Sequence, residues 1–122
     1  MIYMKIILDT NFLMVPNQFG VDIFEFLKDY EIFTLSSCID ELKKLAKNKG
    51  KNGMAAKVAL KLIKDKKVRI VSTREKGDRA ILNYAILDRC SVGTNDKELI
   101  AKLRKQSIKI LRLRQKKYIE EI

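Results

Sequence analysis

The chain has 122 residues, 47% of them hydrophobic, which suits one folded domain over residues 1–122 and excludes a disordered chain. It contains no histidine, and no apolar run reaches the roughly 20 residues of a bilayer span. These absences exclude histidine-based catalytic triads, histidine-bound zinc and a membrane-spanning segment, while the net charge of +11 indicates a polyanionic partner.

Short apolar runs alternate with helical patterns along the whole chain. In chain order the sequence predicts strand 5–8, helix 22–30, strand 32–35, helix 36–47, a flexible basic break over 48–53, helix 54–65, strand 68–71, helix 77–88, strand 90–94, helix 96–105, strand 108–113, and a tail helix or frayed end over 115–122. Ser37 followed by Asp40 is a capping pattern for the second helix. Apolar strands joined by helices predict a mostly parallel sheet that is covered on both faces.

Acidic residues follow two of the predicted strands at the point where ligands bind in open α/β sheets. Asp9 comes directly after strand 5–8, and Asp96 comes two residues after strand 90–94. Because the carboxyl ends of parallel strands meet at one rim, we expect these two side chains to lie near each other.

Helix periodicity adds two further acids to this rim. Asp96 and Asp78 each share a helix face with apolar residues, and Glu41 flanks the stripe of Cys38, Leu42 and Leu45. Asp40 and Glu98 instead fall on lysine-bearing polar faces, so Glu98 is a second-rank choice.

Inward carboxylates are costly unless they are paired or bound to a cation. Four of them at one rim repel each other, and an oxygen-only set without histidine suits Mg²⁺ or Mn²⁺. Helix capping is the competing explanation for Asp9, Asp78 and Asp96 taken singly, and a solvated helix face is the competing explanation for Glu41.

The segments "ILDTNFLM", "IDELKKL", "KGDRAI" and "GTNDKEL" resemble those of the PIN-domain nucleases, and the likeness runs from about residue 5 to 113. It implies a three-layer α/β/α sandwich with a central, mostly parallel sheet. It further implies that Asp9, Glu41, Asp78 and Asp96 bind one or two Mg²⁺ or Mn²⁺ ions and support cleavage of single-stranded RNA. Asn11 and Thr94 match positions that are often polar in the family.

The resemblance leaves the biological role open between two kinds of PIN protein. "TNDKEL" followed by "IKILRLRQKKYI" is similar to the ribosome-maturation type and favours work on a pre-ribosomal particle. The short single-domain form resembles VapC-type toxins, whose partner would be an antitoxin. Relatives often form dimers, so a homodimer is a further possibility, and the expected location is cytoplasmic.

Basic residues near the acids are candidates for RNA backbone contacts. They are Lys47, Lys49, Lys51, Arg79 and Lys97, with "KNKGKNG" as an arm along the RNA. A solvated lysine-rich surface is the competing explanation. Phe19, Tyr30 and Tyr84 are possible base-stacking residues, although each is more typical of a core.

Two other functions compete with an endoribonuclease. A catalytically silent RNA-binding scaffold would keep the fold and the basic surface without cutting. A metal-dependent phosphatase of the aspartyl-phosphate design needs a second aspartate two residues after the first, and that position is Asn11.

Overall fold

A computed structural model describes residues 4–122 as six strands and seven helices. Their bounds are β1 Met4–Leu8, α1 Thr10–Leu13, α2 Val15–Phe19, α3 Ile23–Phe26, β2 Tyr30–Leu35, α4 Ser36–Ala46, α5 Lys51–Asp65, β3 Arg69–Val71, α6 Gly77–Asp88, β4 Ser91–Gly93, α7 Lys97–Lys105, β5 Ile110–Arg114 and β6 Tyr118–Glu121. Within these described residues, no helix combines the length and apolar character needed to cross a bilayer.

The six strands form one sheet in the order β3-β2-β1-β4-β5-β6. The first five are parallel to their neighbours, and only β6 runs antiparallel, beside β5. This arrangement confirms the predicted mostly parallel sheet. It also places β1 and β4 side by side at the centre, so the residues that follow them emerge together at one rim.

Two hydrophobic cores cover the two faces of the sheet, which confirms the three-layer α/β/α sandwich. Successive residues of β1 point to opposite faces, with Ile6 and Leu8 in one core and Ile7 in the other. Helices α1, α2, α3 and α5 supply the first core, and α6 and α7 supply the second. Helix α4 contributes Leu42 to the first core and the buried, unpaired Cys38 to the second.

The predicted helix 22–30 shrinks to the single turn α3, Ile23–Phe26. Asp22 caps it by accepting from Phe24 N at 3.1 Å and Glu25 N at 3.2 Å. The chain then leaves the helix early because Tyr30 pairs with Met4 at the start of the β2–β1 ladder. Sheet pairing therefore overrides the local helical period.

The capping pattern assigned to Ser37 and Asp40 is wrong. Helix α4 begins at Ser36, so Ser37 lies inside the helix, and the N-cap residue Leu35 makes no side-chain capping bond. The Ser36 hydroxyl accepts instead from Thr73 N at 3.0 Å. The serine hydroxyl at the start of α4 therefore serves a tertiary contact to the segment after β3 and does not cap the helix.

The tail is a strand, and the prediction of a tail helix or frayed end is wrong. Residues Arg114–Lys117 turn the chain back, with Lys117 N donating to Arg114 O at 3.0 Å. Gln115 and Lys116 have φ angles of 53° and 56° in this turn. Hairpins of this kind usually carry Asn or Gly at such positions, and neither residue is present here to mark the turn.

The predicted basic break is shorter than 48–53, because α5 begins at Lys51. Gly53 lies inside this helix, and a Cβ at that position would collide with the carbonyl oxygen of Asn48. The glycine thus allows α5 to pack directly against the end of α4. The basic residues here sit on a compact turn rather than on a flexible arm.

We expect Gly53→Ala to lower the free energy of unfolding by about 1–3 kcal/mol, because the added methyl group overpacks the turn. Helix propensity alone predicts the opposite sign, a gain of about 1 kcal/mol. Urea unfolding measures the difference, and the exposed neighbour Asn52→Ala is the matched control, expected to be neutral or stabilising. A gain in stability for Gly53→Ala would show that the collision is absent.

Candidate active site

Acidic side chains line one cavity of about 210 Å³ at the carboxyl-end rim of the sheet. These acids come from four separate parts of the chain and are Asp9, Glu41, Asp78 and Asp96. Asn11 lines the same cavity. The structure thus brings together all four carboxylates that the sequence selected. Glu98, the second-rank acid, does not line the cavity. The role of the four lining carboxylates as metal ligands stays a prediction.

Asp9 both caps a helix and faces the cavity. Its Oδ1 accepts from Phe12 N at 2.8 Å at the start of α1, and its Oδ2 accepts from the Thr94 hydroxyl. Burial raises the pKa of Asp9 to about 6, and the nearby charges of Asp96 and Asp78 add to this rise, while the two hydrogen bonds oppose it. Capping and cavity lining are therefore compatible roles for one carboxylate.

Thr94 links Asp9 to Asp96. Its side chain is fully buried. Its hydroxyl group accepts from Asp96 N at 3.1 Å and donates to Asp9 Oδ2. Asp96 in turn caps α7, since its Oδ1 accepts from Leu99 N at 3.0 Å. One hydroxyl group therefore fixes the relative position of two acids that follow neighbouring strands.

Glu41 is held by a residue that the sequence reasoning missed. Its Oε2 accepts from the Thr10 hydroxyl at 3.0 Å, and Thr10 is only 5% exposed. Thr10 is the middle residue of the "DTN" triplet, in which the family resemblance pointed to Asn11. Asn11 lines the cavity with an exposed side chain, whereas Thr10 supports a carboxylate from below.

Asp78 lies in the first turn of α6 and is partly buried. Burial raises its pKa, and the negative charges of Asp96 and Glu98 raise it further, while Lys102 opposes them. Repulsion from neighbouring acids thus adds to the effect of burial in raising the pKa of both Asp9 and Asp78.

The donor set fits a hard divalent cation. Its ligating atoms are carboxylate oxygens, the ligands that Mg²⁺ and Mn²⁺ prefer, and a cation would relieve the repulsion that raises the pKa values of Asp9 and Asp78. Within residues 4–122, no group of three or more acidic or cysteine side chains is already arranged around one point. Glu41 and Asp96 are exposed enough to turn toward an ion.

The five predicted RNA-binding cations are all exposed: Lys47, Lys49, Lys51, Arg79 and Lys97. The turn between α4 and α5 carries Lys47, Lys49 and Lys51. Lys97 directly follows Asp96, and Arg79 directly follows Asp78, where its Nε lies 3.8 Å from a carboxylate oxygen of Glu75. The cations therefore form two groups rather than one stripe.

The possible stacking residues also separate. The Tyr84 hydroxyl donates to Asp88 at 3.2 Å, and the Lys109 ammonium lies 5.4 Å from the centre of the Tyr30 ring. Both tyrosines are partly buried and serve as structural supports. Phe19 differs from them, because its side chain is 40% exposed.

We expect Thr94→Val to lower the free energy of unfolding by about 1–3 kcal/mol, since it removes the fully buried hydroxyl that accepts from Asp96 N and donates to Asp9. The variant keeps the shape of the side chain, so the effect reports the lost hydroxyl.

Removing a group that orients a metal ligand typically costs 10- to 100-fold in metal affinity. Calorimetric titration with Mn²⁺ measures this, and unchanged affinity would deny Thr94 a positioning role.

Three kinds of known protein are similar to this chain. The sequence profile of a family described as a PIN like domain matches residues 6–116. Ribonuclease VapC4 of Methanocaldococcus jannaschii is 41% identical, with 95% of this chain and 95% of that protein aligned. Ribonuclease VapC9 of Archaeoglobus fulgidus is 32% identical, with 93% and 85% aligned. The PIN domain endonuclease Utp24 superposes with a TM-score of 0.78 at 28% identity, over 96% of this chain and 90% of that one.

Proposed function

The chain belongs to the PIN-domain family of nucleases, and we propose that it is a divalent-metal-dependent endoribonuclease that cleaves single-stranded RNA at the acidic cavity. One observation supports this most: four carboxylates from distant parts of the chain line a single cavity. A structural cap needs only one carboxylate at a time, so capping does not explain why they gather. Both similar proteins named VapC are ribonucleases.

PIN-domain nucleases generally use divalent metal ions, and we propose Mg²⁺ or Mn²⁺ for this chain. Asp9, Glu41, Asp78 and Asp96 would hold one or two ions, which supply an activated water and charge stabilisation at the phosphate. The protein's own contribution is to orient the carboxylates, through Thr94 for Asp9 and Thr10 for Glu41. Since the pKa of Asp9 is about 6, this carboxylate is mostly ionised at neutral pH.

We propose that the net charge of +11 serves to hold RNA beside the acids. Each lysine or arginine that contacts a phosphate adds affinity by releasing counterions. Lys97 and Arg79, on the helices that carry Asp96 and Asp78, suit contacts near the scissile bond. Lys47, Lys49 and Lys51 suit contacts further along the strand.

We propose the role of a toxin in a toxin–antitoxin pair, with an antitoxin as partner. The 41% identity to a protein named VapC4 supports this over ribosomal RNA maturation, which stays the second choice because of the "TNDKEL" and "IKILRLRQKKYI" segments. The expected setting is the cytoplasm, with residues 1–122 acting as one domain. We also propose that the protein forms a homodimer, as members of the family often do.

A cleavage assay on single-stranded RNA tests the proposed function. The purified protein is incubated with an end-labelled oligonucleotide in Mn²⁺, in Mg²⁺ and in EDTA. We expect internal cleavage with either ion and none in EDTA, leaving 5′-phosphate and 3′-hydroxyl ends. Binding of RNA without any metal-stimulated cutting would instead support the scaffold function.

A further inference from the structure

Three cavities lie in a row along the carboxyl-end rim. Asn11 lines both the acidic cavity and a neighbouring cavity of about 440 Å³. Gln18 and Phe19 line that second cavity and also a third one of about 830 Å³, which reaches Lys51 at the α4–α5 turn. We call the second and third cavities together the Phe19 groove. The groove leads from the acids to the cluster of predicted RNA-binding lysines at the α4–α5 turn.

The groove has the chemistry of a nucleobase site. Phe12, Val15 and Leu113 form a buried apolar floor, and the partly exposed ring of Phe19 stands between the two cavities. Exposed amides lie along the edge of the second cavity, namely Asn11, Gln18 and Gln115. A base has flat apolar faces and a polar edge, so it matches an aromatic ring with amides around it.

The amide of Asn95 is occupied and does not belong to this recognition set. Its Nδ2 donates to Leu113 O at 2.9 Å, and its Oδ1 accepts from Leu113 N at 2.8 Å. These two bonds tie the loop after β4 to the strand β5 and hold the wall of the groove in place. The three exposed amides thus remain as the groups that would meet a base edge.

The charges around the groove favour RNA over a peptide. The Lys116 ammonium lies 6.0 Å from the centre of the Phe19 ring, and Lys51 lines the far cavity. Among the described residues, the lining of the groove includes cations and amides but no acid. A polyanion with flat bases satisfies the ring, the amides and the lysines together, whereas an apolar peptide uses only the floor.

We propose that Phe19 is a stacking platform for a base of single-stranded RNA, next to the phosphate that enters the acidic cavity. Lys116 and Lys51 contact the flanking phosphates. The proposal rests on the endoribonuclease function above and adds a subsite to it. Base stacking tolerates every base, so Phe19 contributes affinity and register rather than a strict sequence preference.

Binding in EDTA tests the subsite apart from cleavage. With a fluorescein-labelled single-stranded RNA, we expect Phe19→Ala to raise Kd roughly 5- to 150-fold, the effect of losing one stacked base. The slope of log Kd against log salt stays unchanged, because no phosphate contact is lost. Phe26→Ala is the matched control, since Phe26 is exposed at 51% and lies outside the groove. It should bind like the unaltered protein.

A fluorescent version gives a direct readout, because the chain contains no tryptophan. In Phe19→Trp the single indole should be quenched by RNA and much less by an oligonucleotide of abasic ribose phosphates. Phe26→Trp should respond to neither. Quenching of equal size by the abasic strand would mean that Phe19 senses phosphates and not bases, which overturns the proposal.

Two further results would overturn it. One is RNA binding by Phe19→Ala equal to that of the unaltered protein, and the other is Phe19→Trp emission that responds to a synthetic leucine-rich acidic peptide but not to RNA. In either case, cleavage by the unaltered protein in Mn²⁺ would leave the nuclease function standing. Conversely, base-dependent quenching without any cleavage supports the subsite and rejects the nuclease.

Discussion

Asp96→Asn is expected to lower the rate of Mn²⁺-dependent RNA cleavage roughly 10²- to 10³-fold or more, because it removes one charge from the group that would hold the metal. The fold should survive, since Asn caps helices about as well as Asp. The bond from Leu99 N to the side-chain oxygen, 3.0 Å long in the protein, is available to either residue. Single-turnover cleavage of a labelled RNA measures the loss.

Asp22→Asn is the matched control for that experiment. Asp22 also caps a helix, accepting from Phe24 N and Glu25 N, but it does not line the acidic cavity. The two substitutions therefore make the same chemical change at the same kind of helix position. We expect full cleavage activity in Asp22→Asn, and an equal loss in both variants would mean that capping, not metal binding, sets the activity.

The gathering of the acids was predictable because topology and helix phase both constrain it. Asp9 follows a central strand, and parallel strands end at one rim. Asp78 and Glu41 were selected by their helix faces, and the structure places both at the same cavity. The competing explanation by helix capping also holds for Asp9 and Asp96, so the two explanations coexist in single residues.

The features that escaped prediction depend on contacts distant in sequence. Thr10 supports Glu41 across 31 positions, and nothing in the "DTN" triplet distinguishes its buried hydroxyl from the exposed Asn11. The β5–β6 hairpin forms although Gln115 and Lys116 must adopt positive φ angles, because strand pairing outweighs their local cost of roughly 1–2 kcal/mol each. Local sequence patterns therefore indicate neither the bond between Thr10 and Glu41 nor the β5–β6 hairpin.

Asp9→Asn is expected to raise the stability of the metal-free protein while abolishing its activity. The pKa of Asp9 is about 6 in the folded protein, whereas the ordinary pKa of an aspartate is 3.8, so ionisation disfavours folding. Between about pH 4 and pH 6 the unfolded chain has lost this proton while the folded protein still holds it. The free energy of unfolding therefore falls as the pH rises. Above pH 6 the decrease in the free energy of unfolding amounts to about 3 kcal/mol. The variant does not show this decrease, because its amide stays neutral.

Urea unfolding across pH, with and without Mn²⁺, measures this exchange of stability for function. In EDTA at pH 7.5 we expect Asp9→Asn to be more stable by up to about 3 kcal/mol, and at pH 4 we expect the two proteins to match. Mn²⁺ at about 100 times its Kd should stabilise the unaltered protein by about 2.7 kcal/mol and leave the variant unchanged. Equal stability in EDTA at every pH would show that burial and neighbouring acids impose no cost on the ionised Asp9 for a cation to relieve, and the acidic cavity would lose its physical reason to bind one.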